Sequence, residues 1–418
     1  MAGFGFTGAL LGLDGSDIFN LAGGSAAITG GNNTDIITGA SAYEVSGVNA
    51  GTANLVAFSG VENLTGTNAV DVFTLTSGSI GDLVGLDDSD VFNVDGTTFD
   101  SIDGGNVGES DADADVVNFA NSTSLDLEVG PVPFVRVETI NGNSGSDTLS
   151  GATVYTVTGV SAIQANVTGS TSFVGFETVE GTSGADTFNI AGFGFVGALL
   201  GLAGDDTFNL AGGTADITGG NNTDTITGAS AYVVSGPDAG TANAVAFTEV
   251  ENLTGTNAAD TFTLTSGSIG ALVGLDDSDV FNVTGATFAA IDGGSIGELD
   301  ADADSVVYFA PVTFDLSASA ITRVEAVVAP AGSILEGASS YSFASDTSLV
   351  AAGDLTTTYF GFSTIRGTSG QDTFFLNSFD FAGTLEGLGE ADTFDLTGTG
   401  TVGSIVGGDG PGFDIVQG

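Results

Sequence analysis

Residues 181–210 read GTSGADTFNIAGFGFVGALLGLAGDDTFNL, and this stretch decides the fold. It holds two copies of one signature, G-x-x-x-x-D-x-(Phe/Ile/Leu)-x-apolar, with Asp186 and Asp206 twenty residues apart. Behind each aspartate the chain alternates, so that Phe208 and Leu210 share one face while Thr207 and Asn209 share the other. Period two with aromatic and β-branched residues reads as strand. Glycine-rich pieces such as GLDGS, GTSGA and GGNNT read as tight turns that need positive φ. The stretch between the two strands, AGFGFVGALLGLAG, carries five glycines and is no helix.

Outward from this stretch, the signature recurs at Asp17, Asp35, Asp71, Asp90, Asp147, Asp186, Asp206, Asp224, Asp260, Asp279, Asp372, Asp392 and Asp414. Spacings of 18–20 residues recur, as from Asp17 to Asp35, Asp71 to Asp90, Asp186 to Asp206 and Asp260 to Asp279. The gaps from Asp35 to Asp71 and from Asp224 to Asp260 are 36, read as two periods with a degenerate coil between. Short strands and sharp turns at this period predict an all-β fold without significant helix, a parallel β-solenoid of 18–20 residues per coil. Coils stacked about 4.8 Å apart would give about 22 coils and a rod roughly 100 Å long. Phe19, Phe73, Phe92, Phe188, Phe208, Phe262, Phe281, Phe374 and Phe394 then form an internal ladder.

A longer repeat overlies the short one. Residues 2–135 and 191–322 are near copies; VENLTGTNAVDVFTLTSGSIG at 61–81 returns as VENLTGTNAADTFTLTSGSIG at 250–270. The organisation expected is a first long repeat over 1–190, a second over 191–376 and a partial third over 377–418, in one continuous rod. Residues 377–418 resemble 2–39, so the two ends carry related coils that suit head-to-tail stacking. Met1 falls at a repeat junction, and the opening MAGFGFTGALLGLDG lacks the basic region of a signal peptide. The expectation is either a piece of a longer repeat protein or ends left open by design.

Composition removes most enzyme chemistry. The formal charge is −50 from 53 acidic and 3 basic residues, and there is no cysteine, histidine or lysine. Thiolate nucleophiles, imidazole bases, Schiff-base lysines and His/Cys zinc sites are therefore excluded. Three arginines cannot offset phosphate charge, so nucleic acid is no partner. No apolar run is long enough to span a membrane as a helix. A hydrophobic content of 42% argues against disorder despite the charge. An acidic, lysine-free surface suits an extracellular or cell-surface protein in a cation-rich medium.

GTSGADTFN (181–189), GLDGSDIFN (12–20) and GTSGQDTFF (367–375) resemble the nonapeptide G-G-x-G-x-D-x-apolar-x of the hemolysin-type (RTX) calcium-binding repeats. VENLTG followed by D-x-F, at 61–73 and 250–262, is similar to elements of the bacterial extracellular β-strand-repeat proteins. The resemblance implies a secreted parallel β-roll or β-solenoid, often part of a very long adhesin. Where those arrays place aspartates nine residues apart on both edges, here they fall 18–20 apart and occupy one edge.

The candidate metal ligands are Asp17, Asp35, Asp71, Asp90, Asp186, Asp206, Asp224, Asp260, Asp279, Asp372 and Asp392. Stacked turns can offer calcium carboxylates from one coil and carbonyls from the next, and bound cations would relieve repulsion between stacked aspartates. The alternative is that each aspartate caps a turn by accepting amide hydrogens. Asp14, Asp87, Asp88, Asp205, Asp276 and Asp277 add charge to the same turns. The DADAD runs at 111–115 and 300–304, preceded by Glu109 and Glu298, read as inserted acidic loops. Asn63 and Asn252 suit an internal asparagine ladder, and Arg136 and Arg323 sit beside Glu138 and Glu325 as a repeated ion pair. A catalytic site should be singular, whereas these groups are duplicated, so no enzyme activity is expected.

The expected function is that of a structural extracellular β-solenoid, forming or joining a fibre by end-to-end stacking with copies of itself, with calcium as a candidate stabiliser. The alternative is a spacer in a calcium-dependent adhesin that contacts a cell surface or polysaccharide. A polysaccharide-acting β-helix enzyme ranks third.

Overall fold

The alternation behind each aspartate becomes strand. In Val91–Val94 the side chains of Phe92 and Val94 are buried while Val91 and Asn93 face outward. The computed structural model describes residues 6, 8–21, 23–105, 114–128, 133–190, 192–294, 303–352 and 354–418. Among the described residues the regular structure is all β, with no helix. The chain forms two compact units, Met1–Gly204 with Gly213–Asp216, and Asp205–Gly212 with Ile217–Gly418.

In the first unit the chain alternates between parallel ladders. Val72–Leu75 lies on Val91–Val94 with Phe73 opposite Phe92, and Asp82–Leu86 lies on Ser101–Gly105 with Leu83 opposite Ile102. Both registers are offset by 19 residues, and that of Ile18–Asn20 on Ile36–Thr38 by 18. The second unit repeats the pattern. Thr261–Leu264 lies on Val280–Val283, offset by 19, and Thr373–Phe375 on Thr393–Asp395, offset by 20.

The 36-residue gaps hold no degenerate coil. They contain an antiparallel meander: Ala42–Gly47, Ala50–Ala53 and Val56–Ser59 in the first unit, Ala231–Gly236, Ala239–Ala242 and Val245–Thr248 in the second. The outer strands join different neighbours. Ala42–Gly47 pairs forward with Val72–Leu75, and Val56–Ser59 pairs back with Ile28–Asn32. The cause is local. Asn54 and Leu55 both take positive φ (47° and 67°), the type I′ geometry that closes a two-residue hairpin. The Asn54 side-chain oxygen accepts the Ser41 and Ala42 amides, pinning the turn to the start of the meander. Two further meanders, at Val154–Val174 and Ser340–Phe360, follow the same plan.

The phenylalanine ladder forms, in short runs. Phe73 and Phe92 stack at 4.7 Å, as do Phe262 and Phe281, and Phe374 and Phe394 stack at 4.9 Å. Phe19 and Phe208 lie opposite isoleucines, Ile37 and Ile226, in the following strands. A buried tyrosine opens each run that follows a meander start. Tyr43 stacks on Phe73 and Tyr232 on Phe262, both at 4.9 Å; Tyr155 stacks on Phe188 and Tyr341 on Phe374. Each hydroxyl is satisfied: that of Tyr43 donates to the Thr65 carbonyl (2.6 Å) and accepts the Ala40 amide (3.3 Å). Offset stacking adds about 0.5–1.5 kcal/mol per pair beyond burial.

Candidate functional site: a ladder of buried carboxylates

The eleven candidate aspartates are core residues. Asp35, Asp71, Asp90, Asp224, Asp279 and Asp392 are fully buried; Asp186, Asp206, Asp260 and Asp372 are nearly so, and Asp17 is half-buried. The added acids Asp14, Asp87, Asp88, Asp205, Asp276 and Asp277 are half-buried or exposed.

A backbone amide explains the burial. The N–H of Asp71 donates to Oδ1 of Asp90 one coil on (2.7 Å), and that of Asp90 to Oδ1 of Asp115 (2.7 Å). The N–H of Asp115 then donates to Oε2 of Glu138 (2.7 Å), where the run ends. The second unit repeats this as Asp260, Asp279, Asp304 and Glu325, with distances of 2.7, 2.7 and 2.8 Å. Shorter runs join Asp17 to Asp35 and Glu62, Asp147 to Glu177, Asp206 to Asp224 and Glu251, and Asp372 to Asp392 and Asp414. Every donor points toward the later coil.

The signature glycine belongs to the same device. A Cβ on Gly66 would collide with Oδ2 of Asp71 and with the carbonyl of Gly85 in the next coil. Gly12, Gly30, Gly85, Gly181, Gly219, Gly255, Gly274 and Gly387 are crowded in the same way by the aspartate five residues later. The glycine is there so that a carboxylate and the next coil's backbone can close in.

The residue after that glycine sorts the turns into two kinds. Where it is threonine, its amide donates to Oδ2 and its hydroxyl to Oδ1: Thr67 on Asp71 (2.5 and 2.9 Å), Thr256 on Asp260 (2.5 and 3.0 Å), Thr368 on Asp372 (2.8 and 3.0 Å), with Thr182 serving Asp186 likewise. Where it is leucine or a second glycine, it takes positive φ, as at Leu13, Gly31, Leu86, Leu202, Gly220, Leu275 and Leu388. Its amide then turns elsewhere; that of Gly220 goes to the Glu249 carbonyl (3.2 Å).

Burial raises the carboxyls of Asp71, Asp186, Asp260 and Asp372 above the usual range, with the threonine amide and hydroxyl pulling back. Asp224 is pushed up to about 7, first by burial and then by the charges of Asp206, Glu251 and Asp205, against the Asp206 amide.

Several expectations need correction. Arg136 and Arg323 pair with Asp103 and Asp292, not with Glu138 and Glu325, whose carboxylates accept the ladder amides. Asn63 and Asn252 build no asparagine ladder: each side-chain oxygen accepts a backbone amide of the next coil, from Asp82 and Ala271 (both 2.9 Å). An asparagine ladder does run through Asn93, Asn118 and Asn141, on the outer face. Of the DADAD runs, residues 111–113 and 300–302 lie outside the described residues, as do Glu109 and Glu298. Their last members, Asp115 and Asp304, are buried ladder rungs and not solvated loop. The terminating glutamates Glu62, Glu138, Glu177, Glu251 and Glu325 escaped the motif because they follow no signature glycine. Their signal is an acid set directly behind a buried Val or Phe: Val61, Val137, Phe176, Val250 and Val324.

A hard cation takes about six to eight oxygens converging on one point. Here the carboxylate oxygens are directed at amides and at glycine backbone, and among the described residues no group of three or more acids is gathered as a metal would need. The Oδ1 atoms along the ladder act as amide caps. The chain matches no protein-family model and no curated protein.

Proposed function

We propose that the chain is a β-solenoid serving as a structural element of an extracellular fibre, lengthened by coil-on-coil stacking. One observation carries this reading: the same polar rung, an aspartate amide on the next coil's carboxylate, repeats at coil spacing along with the parallel strand register. A stack built this way treats each coil as a template for the next.

Buried carboxylates held by amides favour a scaffold over a catalyst, because no reactant reaches them. They also favour a fibre that needs no calcium. The second reading is a spacer within a large adhesin, which shares the coil geometry but does not polymerise by itself. Electron microscopy of the purified chain, with calcium and with chelator, separates the two. Ordered filaments in both conditions support the fibre; isolated particles in both leave the spacer.

A further inference from the structure

We infer that Asp224 and Asp392 complete the ladder as protonated carboxyls, each Oδ2–H donating to the backbone carbonyl of the following coil, Glu249 for Asp224 and Gly407 for Asp392. What these two turns bind is then a proton rather than a divalent cation. This inference stands apart from the fibre reading, since the ladder is closed or open in a single molecule.

Geometry makes the case. Both side chains are fully buried, and both spend Oδ1 on the preceding coil's amide, from Asp206 (2.8 Å) and Asp372 (2.9 Å). Oδ2 of each is buried and meets no hydrogen-bond donor. What it meets is another acceptor. Oδ2 of Asp224 and the Glu249 carbonyl crowd the single point at which a Cβ on Gly219 would sit; Oδ2 of Asp392 and the Gly407 carbonyl do the same at Gly387. A buried carboxylate oxygen with no donor beside a carbonyl is costly, and a proton on Oδ2 turns it into a donor for that acceptor. The threonine turns solve this with an amide, but here residue 220 or 388 is left-handed. The Gly220 amide already occupies one lone pair of the Glu249 carbonyl, leaving the second for Asp224.

The surroundings offer no cation in place of the proton. Asp224 faces Asp205 and Asp206 from the preceding coil and Glu251 from the next, while Asp392 faces Asp372, Glu390 and Asp414. Burial raises both carboxyls and these neighbours raise them further. The proton comes from solvent: on folding, the Asp224 carboxylate takes up H⁺ near neutral pH and that of Asp392 takes one up above the ordinary carboxyl range, and each new O–H donates to its carbonyl.

The test is a proton count on the full chain. Potentiometric difference between native and urea-unfolded protein at pH 6.5 should show the native state holding at least about one extra proton. In the double variant Asp224→Asn, Asp392→Asn, the amide NH₂ reproduces the O–H donor. It should melt about 2 °C higher at pH 8 and hold about one excess proton fewer than the wild type at pH 6.5. A wild-type native state with no proton excess overturns the inference, even if the variant fails to fold. So does a folded variant that melts lower at pH 8 with the excess unchanged.

Discussion

The amide nitrogen of Asp71 donates its hydrogen to Oδ1 of Asp90, 2.7 Å from it and nineteen residues on, with both side chains fully buried. This one bond states how the molecule is built. A residue type that composition assigns to solvent is used as the internal connector between coils, and its backbone donor and side-chain acceptor both lie along the stacking direction.

Removing the acceptor should expose the cost of that choice. Asp90→Ala strands the buried Asp71 amide and is expected to destabilise by about 1–3 kcal/mol. Asp90→Asn keeps an oxygen in place and should cost less than half as much. Urea denaturation of the two variants checks the order; equal losses would mean that the carboxylate matters for its charge.

The signature glycine is equally testable. Gly66→Ala drives a methyl into Oδ2 of Asp71 and the Gly85 carbonyl and should cost about 2–3 kcal/mol. Gly47→Ala, where the nearest atom is the Ala50 Cβ at 3.6 Å, should cost no more than about 1 kcal/mol. Similar melting points for the two would contradict the crowding argument.

Leu55 tips the first hairpin at φ 67° with 95% of its surface exposed. An L side chain in this conformation costs about 1–2 kcal/mol, and nothing packs on it in return. Leu55→Gly is therefore expected to raise the melting point by a few degrees, read by scanning calorimetry, whereas a fall would show that the leucine packs where the structure leaves it bare.

Stability should fall as pH rises from about 4 to about 7. The sign follows from the raised carboxyls. Asp71, Asp186, Asp260, Asp372 and Asp392 lie above the ordinary range and Asp224 at about 7, so over this window the native state holds protons that the unfolded chain has released. Their stabilisation is complete below the unfolded value and is lost as pH passes the folded one. The net charge of −50 acts in the same direction. A melting point that climbs steadily from pH 4 to pH 7 at fixed ionic strength is the opposite result.

What could be read from sequence was what is local. Strand alternation in DVFTL and DVFNV fixes the parallel register, and Phe73 on Phe92 follows from it. The meander strand Ala50–Ala53, AGTA, has no alternation to read, and its only signals are the turn asparagines Asn49 and Asn54, both at positive φ. Nothing in ASAY reveals that the Tyr43 hydroxyl reaches the Thr65 carbonyl. The aspartates were found but their surroundings were not. Whether a carboxylate meets an amide depends on the following coil, and the distinction between GT and GL or GG turns emerges only once Thr67 is seen on Asp71 and Leu86 is seen left-handed before Asp90.

The central claim is that the acid ladder is closed by amides and protons and needs no divalent cation. Thermal unfolding at pH 7 and constant ionic strength tests it most directly, in chelator, in calcium and in magnesium. The account predicts melting points within about 2 °C of one another, since only a ligand of the folded state shifts the midpoint strongly. Unfolding in chelator, or a rise of about 10 °C specific to calcium, would contradict it.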